Sequence, residues 1–146
     1  MDHAGLTPCL EIRCAEPSDL PACAALYVRV LTDTFSWLPP ERHSEADFLA
    51  SAREETVYVA VNAGRIVGLA SVYAPQTFLH SLYVTERGQG IGKALLEHVI
   101  AEMGGVVQLK CQTANVRAQA FYRREGFRQV EAGQDDGIAW RRFLRG

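Results

Sequence analysis

Nothing in this 146-residue chain approaches the ~20 consecutive apolar residues that a membrane-spanning helix needs. The opening MDHAGLTPCLEIR has no basic segment leading into a long apolar run, so no signal peptide is expected there. Charge of one sign does not accumulate either. Lys and Arg number 15 against 17 Asp and Glu, for a net charge of −2 and a pI near 6.1. That balance argues against nucleic acid and against a membrane surface as partners. Arg141, Arg142 and Arg145 make only a short basic tail, expected on a solvated strand edge. The four cysteines, Cys9, Cys14, Cys23 and Cys111, have no CxxC spacing and no clustered histidines. They are read as reduced thiols of a cytoplasmic protein, with no metal site. Internal repeats and low-complexity linkers are also missing, so residues 1–146 are expected to form a single domain. Hydrophobic residues at 48% and charged residues at 22% supply the core such a domain needs.

What is present alternates between strand and helix. LEIRCA (Leu10 to Ala15) reads as a first strand. PSDLPACAALYVRVL then places Leu20, Cys23, Ala24, Tyr27, Val30 and Leu31 at helical spacing, with Ser18 as the expected cap. TDTFSWLPPERH is an aromatic loop stiffened by Pro39 and Pro40, and Ser44 to Asp47 resembles a capping box for a second, short helix. TVYVAV and RIVGLASVY are β-rich runs joined by Asn62-Ala63-Gly64, a hairpin signal. FLHSLYV is a strand apolar on both parities except at His80 and Ser81, which predicts cover on both faces. From Gly90 a helix carries Ile91, Ala94, Leu95, Val99 and Met103 on one stripe. VVQLKC is another strand, and Asn115 can cap a last helix that Gly126 ends. FRQV and IAWRRFL close the chain as a hairpin around Asp135-Asp136-Gly137. The order predicts an α/β (α+β) domain: a central mixed, mostly antiparallel sheet of six to seven strands with helices on both faces.

The stretch VTERGQGIGKALLEHVI puts three glycines into five residues at a helix start. A helix N-terminus offers unpaired N–H groups and a positive dipole end, a natural seat for phosphate. A magnesium-dependent GxxxxGK[ST] loop is excluded, because Arg87 stands at the first Gly position and Ala94 replaces the hydroxyl residue. A dinucleotide GxGxxG is excluded because Lys93 follows Gly88 and Gly90, with no early βαβ unit around them. What remains is Arg87-Gly88-Gln89-Gly90-Ile91-Gly92, an R-x-x-G-x-G turn between strand and helix. A turn that merely lets the helix pack closely on the strand would also use these glycines.

R-x-x-G-x-G after LYV, followed by N-x-x-A-x-x-F-Y-x-x-x-G-F at Asn115, Ala118, Phe121, Tyr122, Gly126 and Phe127, resembles the GCN5-related N-acetyltransferase (GNAT) family. LEIRCAEPSDLPACAALY is similar to that family's first strand and helix, so the resemblance spans nearly the whole chain. It implies acetyl-CoA as cofactor. The pyrophosphate would rest on the turn formed by Arg87, Gly88, Gln89, Gly90, Ile91, Gly92 and Lys93. Leu82, Tyr83 and Val84 would pair their backbone with pantetheine, and Asn115 would join them or serve only as a helix cap. Tyr122 matches the family tyrosine that protonates the leaving thiolate; a core tyrosine is the bland alternative.

Direct acyl transfer requires a neutral amine. At pH 7 a lysine-like amine (pKa ~10.4) gives up its proton at a cost of roughly 4.6 kcal/mol, an α-amino group at about 1 kcal/mol. His80 is the candidate base, because an unpaired polar group in an apolar strand would be costly. Many relatives carry an acidic residue near this position, and a hydrogen-bonded core histidine is the alternative. Ser81 could share a polar pocket, and Cys111 is expected to be a buried structural thiol. The acceptor wall should include Phe35, Trp37, His43 and Tyr73, unless the aromatic residues among them are simple core anchors. The loop has no acidic cluster for a polycation, so the expected partner is a small-molecule amine, an amino acid or monoamine. A homodimer is the protein partner kept in view. Two rival readings stand: acetylation of a protein N-terminus or lysine, and a non-catalytic acyl-CoA-binding sensor.

Overall fold

The computed structural model describes residues 10–34, 44–86 and 88–146. Thus Phe35, Trp37, His43 and Arg87, expected at the acceptor wall and the phosphate turn, lie outside the described residues, as does Cys9.

Strand β1 (Leu10–Cys14) leads through a 3-10 turn at Pro17–Asp19 into helix α1 (Leu20–Thr34). The entry corrects one expectation. Glu16, not Ser18, occupies the cap position and exchanges backbone and side-chain hydrogen bonds with Asp19. Pro17 selects the tighter turn because its fixed φ suits a first helical position and it has no N–H to lose. The Arg13 guanidinium donates to Asp19 at 2.7 Å and holds that carboxyl below its usual range. Helix α2 (Glu45–Ala52) begins as expected, with Ser44 Oγ accepting the Asp47 N–H at 3.0 Å.

Strands β2 (Thr56–Asn62) and β3 (Arg65–Tyr73) form the hairpin, turning through Ala63 at φ 52° and Gly64 at φ 78°. Positive φ at both central residues fits the right-handed twist of the flanking strands. Strand β4 (Phe78–Val84), helix α3 (Ile91–Glu102) and strand β5 (Val107–Gln112) form a strand–helix–strand crossover. Helix α4 (Val116–Arg124) follows, capped by Asn115 Oδ1, which accepts the Ala118 N–H at 3.2 Å. Gly126 at φ 94° ends it, with the Phe127 N–H returning to the Tyr122 carbonyl and the Gly126 N–H to that of Arg123. Strands β6 (Arg128–Asp135) and β7 (Ile138–Arg145) make the closing hairpin.

Among the described residues seven strands run in the order β1-β2-β3-β4-β5-β7-β6, with β4 and β5 parallel and the other pairs antiparallel. Helices cover both faces, as the sequence predicts. Odd positions of β2 (Val57, Val59) and Leu69 of β3 pack beneath α1 and α2, with Cys23, Ala24, Leu26 and Phe48. Even positions (Tyr58, Ala60, Ala70, Val72) join Leu95, Leu96, Val99, Tyr122 and Phe143 in a larger core beneath α3 and α4. Two strands buried on both faces explain the near-continuous apolar runs. Arg142 of the basic tail is tied into the hairpin by Glu131 at 2.7 Å.

Candidate active site

The sheet carries its own opening. β4 and β5 pair only at Phe78 with Gln108 and Leu79 with Leu109, after which they diverge. Beyond Leu79 the β5-facing edge of β4 loses its strand partner and borders a cleft of about 1130 Å³. Both faces of the sheet reach this cleft: Tyr122, Ala118 and Phe121 line it from α4, Arg29, Val30 and Asp33 from α1.

At its wide end stands the glycine turn. Gly88 and Gly90 have φ of 79° and 74°, a left-handed backbone in which any side chain is strained. Gly90 is the N-cap of α3 and supplies no side-chain cap, so the first amides of the helix are left to a ligand or to water. Gly92 differs. A Cβ there would meet Phe121 and Val84 only at 3.8 Å, so packing within the protein does not require a glycine. Gly88, Gly90, Ile91, Gly92 and Lys93 line the cleft, whereas Gln89 is exposed outside that lining. Lys93, Arg117 and Arg124 add positive charge on the α3/α4 side, with Glu125 at 3.9 Å from Lys93. The seat fits a large anionic ligand: bare backbone, an uncapped helix start and nearby cations.

Deeper in the cleft, Tyr122 is 9% exposed and packs edge-on against Phe121 and Phe127 and at a tilt against Phe143. Burial raises its pKa well above the ordinary phenol value, so the hydroxyl keeps its proton at neutral pH. Tyr122 also lines the cleft, so its ring is held by the core while the residue borders the open space. The side chain of Tyr83 lies on the opposite face, edge-on to Tyr27 at 5.8 Å, with its pKa also raised by burial. Cys111 is buried and its thiol is pushed up to about 11, chiefly by desolvation. A thiol so protonated is a poor nucleophile at pH 7, in keeping with a structural role. Asn115 lines the cleft while its side chain caps α4.

His80 is where the structure departs from its sequence reading as a polar group inside an apolar strand. The β3–β4 register jumps from Ser71–Ser81 to Val72–Leu79, so His80 is the extra residue of a β-bulge. Its side chain is about half exposed and lines the cleft; it is not a core histidine. Nδ1 lies 2.8 Å from Oε2 of Glu55, whose side chain is only 11% exposed. That hydrogen bond raises the His80 pKa, against the opposing effect of partial burial. Ser81 is buried beside it and does share the polar pocket. Tyr73 is not brought here. It pairs with Phe78 at the closed end of the β3–β4 ladder, outside the cleft lining.

Sequence reasoning missed Glu55, Arg29 and Asp33. Glu55 sits in the charged run Arg53-Glu54-Glu55 between α2 and β2, where nothing local marks a partner on β4. Arg117 and Arg124 carry a faint signal, being seven residues apart and hence on one face of α4 with Phe121 between them.

An uncapped glycine turn, a parallel strand pair forced apart and a tyrosine in the gap are joined by a match to the acetyltransferase (GNAT) family over residues 20–127. The chain belongs to the GNAT acetyltransferase family. Transfer of an acetyl group from acetyl-CoA to nitrogen is the reaction of that family. The expected GNAT fold is borne out. A GCN5-related N-acetyltransferase structure from Rhodopseudomonas palustris, described as "Aminotransferase, Class-II", superposes with a TM-score of 0.81 at 20% identity, covering 99% of each chain. A ribosomal-protein-alanine N-acetyltransferase from Brucella melitensis gives 0.69 at 26% identity, covering 92% of this chain and 98% of its own. The putative acetyltransferase yncA from Salmonella typhimurium, solved with its cofactor acetyl-CoA, gives 0.70 at 20% identity, covering 93% and 92%. No curated protein matches the chain. No helix among the described residues is long and apolar enough to cross a membrane.

Proposed function

We propose that this GNAT protein moves an acetyl group from acetyl-CoA to the primary amine of a small molecule, an amino acid or monoamine, with Tyr122 as general acid. The observation that carries the reading is a buried Tyr122 and the His80 bulge lining one cleft, which opens where β4 and β5 part. The amides of Gly88 to Lys93 would hold the pyrophosphate, and the unpaired edge of Leu82, Tyr83 and Val84 the pantetheine amides. When bound, acetyl-CoA supplies a thioester whose acetyl carbon forms a bond to nitrogen as the bond to sulfur breaks. Tyr122, kept protonated by burial, gives its proton to the departing sulfur. The apolar surroundings raise the basicity of a developing thiolate as well, so the transfer is not defeated by the phenol's high pKa.

Arg29 and Asp33, one turn apart on α1, line the α1/α2 side of the cleft. Together they offer a cation and an anion to a zwitterionic acceptor, which supports an amino acid. A panel of amino acids, monoamines and N-terminal peptides, assayed for thiol release from acetyl-CoA, tests the assignment. Turnover on small amines with little on peptides is expected. Turnover confined to peptides would favour the second reading, a protein N-terminus, which the likeness to the Brucella enzyme supports. Tight acyl-CoA binding with no turnover on any amine would favour a sensor.

A further inference from the structure

Glu55 has no part in the reaction as derived above, yet its placement is costly. Its carboxylate is nearly buried on the turn between α2 and β2, and among the described residues no lysine or arginine pairs with it. A buried carboxylate is tolerated when it is hydrogen-bonded. Its partner, at 2.8 Å, is His80 Nδ1.

Three features converge on that ring. The bulge makes His80 an inserted residue and turns it toward the α1/α2 face with its neighbour Ser81. The last paired residue between β4 and β5 is Leu79, so His80 is the first residue beyond the vertex where the sheet opens. The turn carrying Glu55 is itself fixed, the Glu55 N–H donating to the Ala52 carbonyl at 3.3 Å and Thr56 entering the β2–β3 ladder opposite Val72. A ring whose Nδ1–H donates to a carboxylate has Nε2 left as its acceptor.

We propose that Glu55 is a positioning residue, holding the His80 imidazole with Nδ1–H on its carboxylate and Nε2 turned to the cleft, where it takes a proton from an acceptor that binds as an ammonium ion. The inference rests on the acetyltransferase reading above. In the step, the N–H bond of R–NH3+ breaks, its electron pair stays on nitrogen as the nucleophilic lone pair, and the proton bonds to Nε2. Glu55 stabilises the resulting imidazolium, which passes the proton to solvent. The second nitrogen proton lost on amide formation balances the one that the leaving sulfur takes from Tyr122. The cleft lining also carries Tyr83 on the same strand, Arg29 and Asp33 on α1, Lys110 and Cys111 on β5 and Tyr122 on α4, with Glu86, Lys93, Arg117, Arg124 and Glu125 around the glycine turn and α4. Glu55 is the group in hydrogen-bond contact with the ring.

The substrate class narrows accordingly. An alkyl primary amine needs this device far more than the N-terminal amine of a peptide does, because its pKa lies about 2.6 units higher. The test is kcat/KM against pH for wild type, Glu55→Gln, Glu55→Ala, His80→Gln and the Glu55→Ala/His80→Gln double variant, with an alkylamine and an amino-acid amide, whose α-amine has the lower, peptide-like pKa. Wild type is expected to rise through an apparent pKa above the ordinary histidine value. Glu55→Gln keeps an acceptor for Nδ1–H but removes the charge, so its rise moves to lower pH. Glu55→Ala lowers the rate at pH 7 by at least about tenfold with the alkylamine and less with the amino-acid amide. In the His80→Gln background the same change has no further effect. Glu55 variants that lower thermal stability yet leave the pH limb in place overturn the inference while the acetyltransferase reading stands. Absence of acetyl transfer to any amine by wild type overturns both.

Discussion

The two walls of the cleft are made from different materials. The α3/α4 wall is backbone and close packing: a left-handed glycine turn, an uncapped helix start, an unpaired strand edge and one aromatic cluster around Tyr122. The α1/α2 wall is side chains brought together from distant segments: Glu55 against His80, Tyr27 against Tyr83, and Arg29 and Asp33 on α1. A wall of backbone suits a ligand that is always the same, since amides cannot be retuned by substitution. A wall of side chains suits the half where one acceptor must be told from another. The difference also sets how each wall should fail.

The largest effect is expected on the backbone wall. Acetyl-CoA at a hundred times its dissociation constant should stabilise the wild type by about 2.7 kcal/mol, or roughly 5–10 °C in melting temperature. Gly92→Val should abolish that shift while the apo protein still folds, because its Cβ meets only ordinary contacts at 3.8 Å. A full shift retained in the variant would mean the turn does not seat the cofactor. On the side-chain wall, His80→Gln should lose on the order of 10²-fold in kcat/KM for an alkylamine at pH 7. The deficit should shrink in alkaline buffer as free amine becomes available. An equal loss at every pH would make His80 a packing or orienting group.

Asn115 separates a cap from a ligand contact. Asn115→Ala should lower stability by about 1 kcal/mol and Asn115→Ser by much less, since serine still caps. If acetyl-CoA affinity falls equally in both, the side chain also touches the cofactor. The smallest effect concerns the pH dependence of stability. The folded pKa of His80 is raised, so its pairing with Glu55 stabilises fully below the unfolded value near 6.5, and the gain is lost as pH rises through the folded pKa. Melting curves of Glu55→Gln and wild type should therefore differ most at about pH 6 and converge towards pH 9. A constant gap would show that the pair is not titrating.

How far each wall was legible follows from the same contrast. Glycine turns, caps and strand parity are local, and the elements they mark (the Ala63-Gly64 hairpin, the Ser44 and Asn115 caps, the Gly126 stop) stand where the sequence places them. The missed cap at Glu16 is a local error, caused by Pro17 favouring a 3-10 entry. The α1/α2 wall was far less readable. His80 was found as an odd polar residue, but the bulge that exposes it depends on the β3–β4 register, and its partner Glu55 comes from the other end of β2. Tyr73 was placed at this wall by its aromatic character, whereas the ladder carries it to the closed end. Pairings made across a sheet leave no periodic trace in one sequence.

The central claim is that the two walls do separate jobs, holding the donor and moving protons for the transfer, with Tyr122 in the gap between them. The most direct measurement is Tyr122→Phe, with acetyl-CoA affinity and kcat determined on the same preparation. The variant keeps the ring packed on Phe121, Phe127 and Phe143 and loses only the hydroxyl. Acetyl-CoA affinity should stay within a few-fold while kcat drops by roughly 10²-fold. An unchanged kcat, or affinity and turnover falling together, would contradict the account.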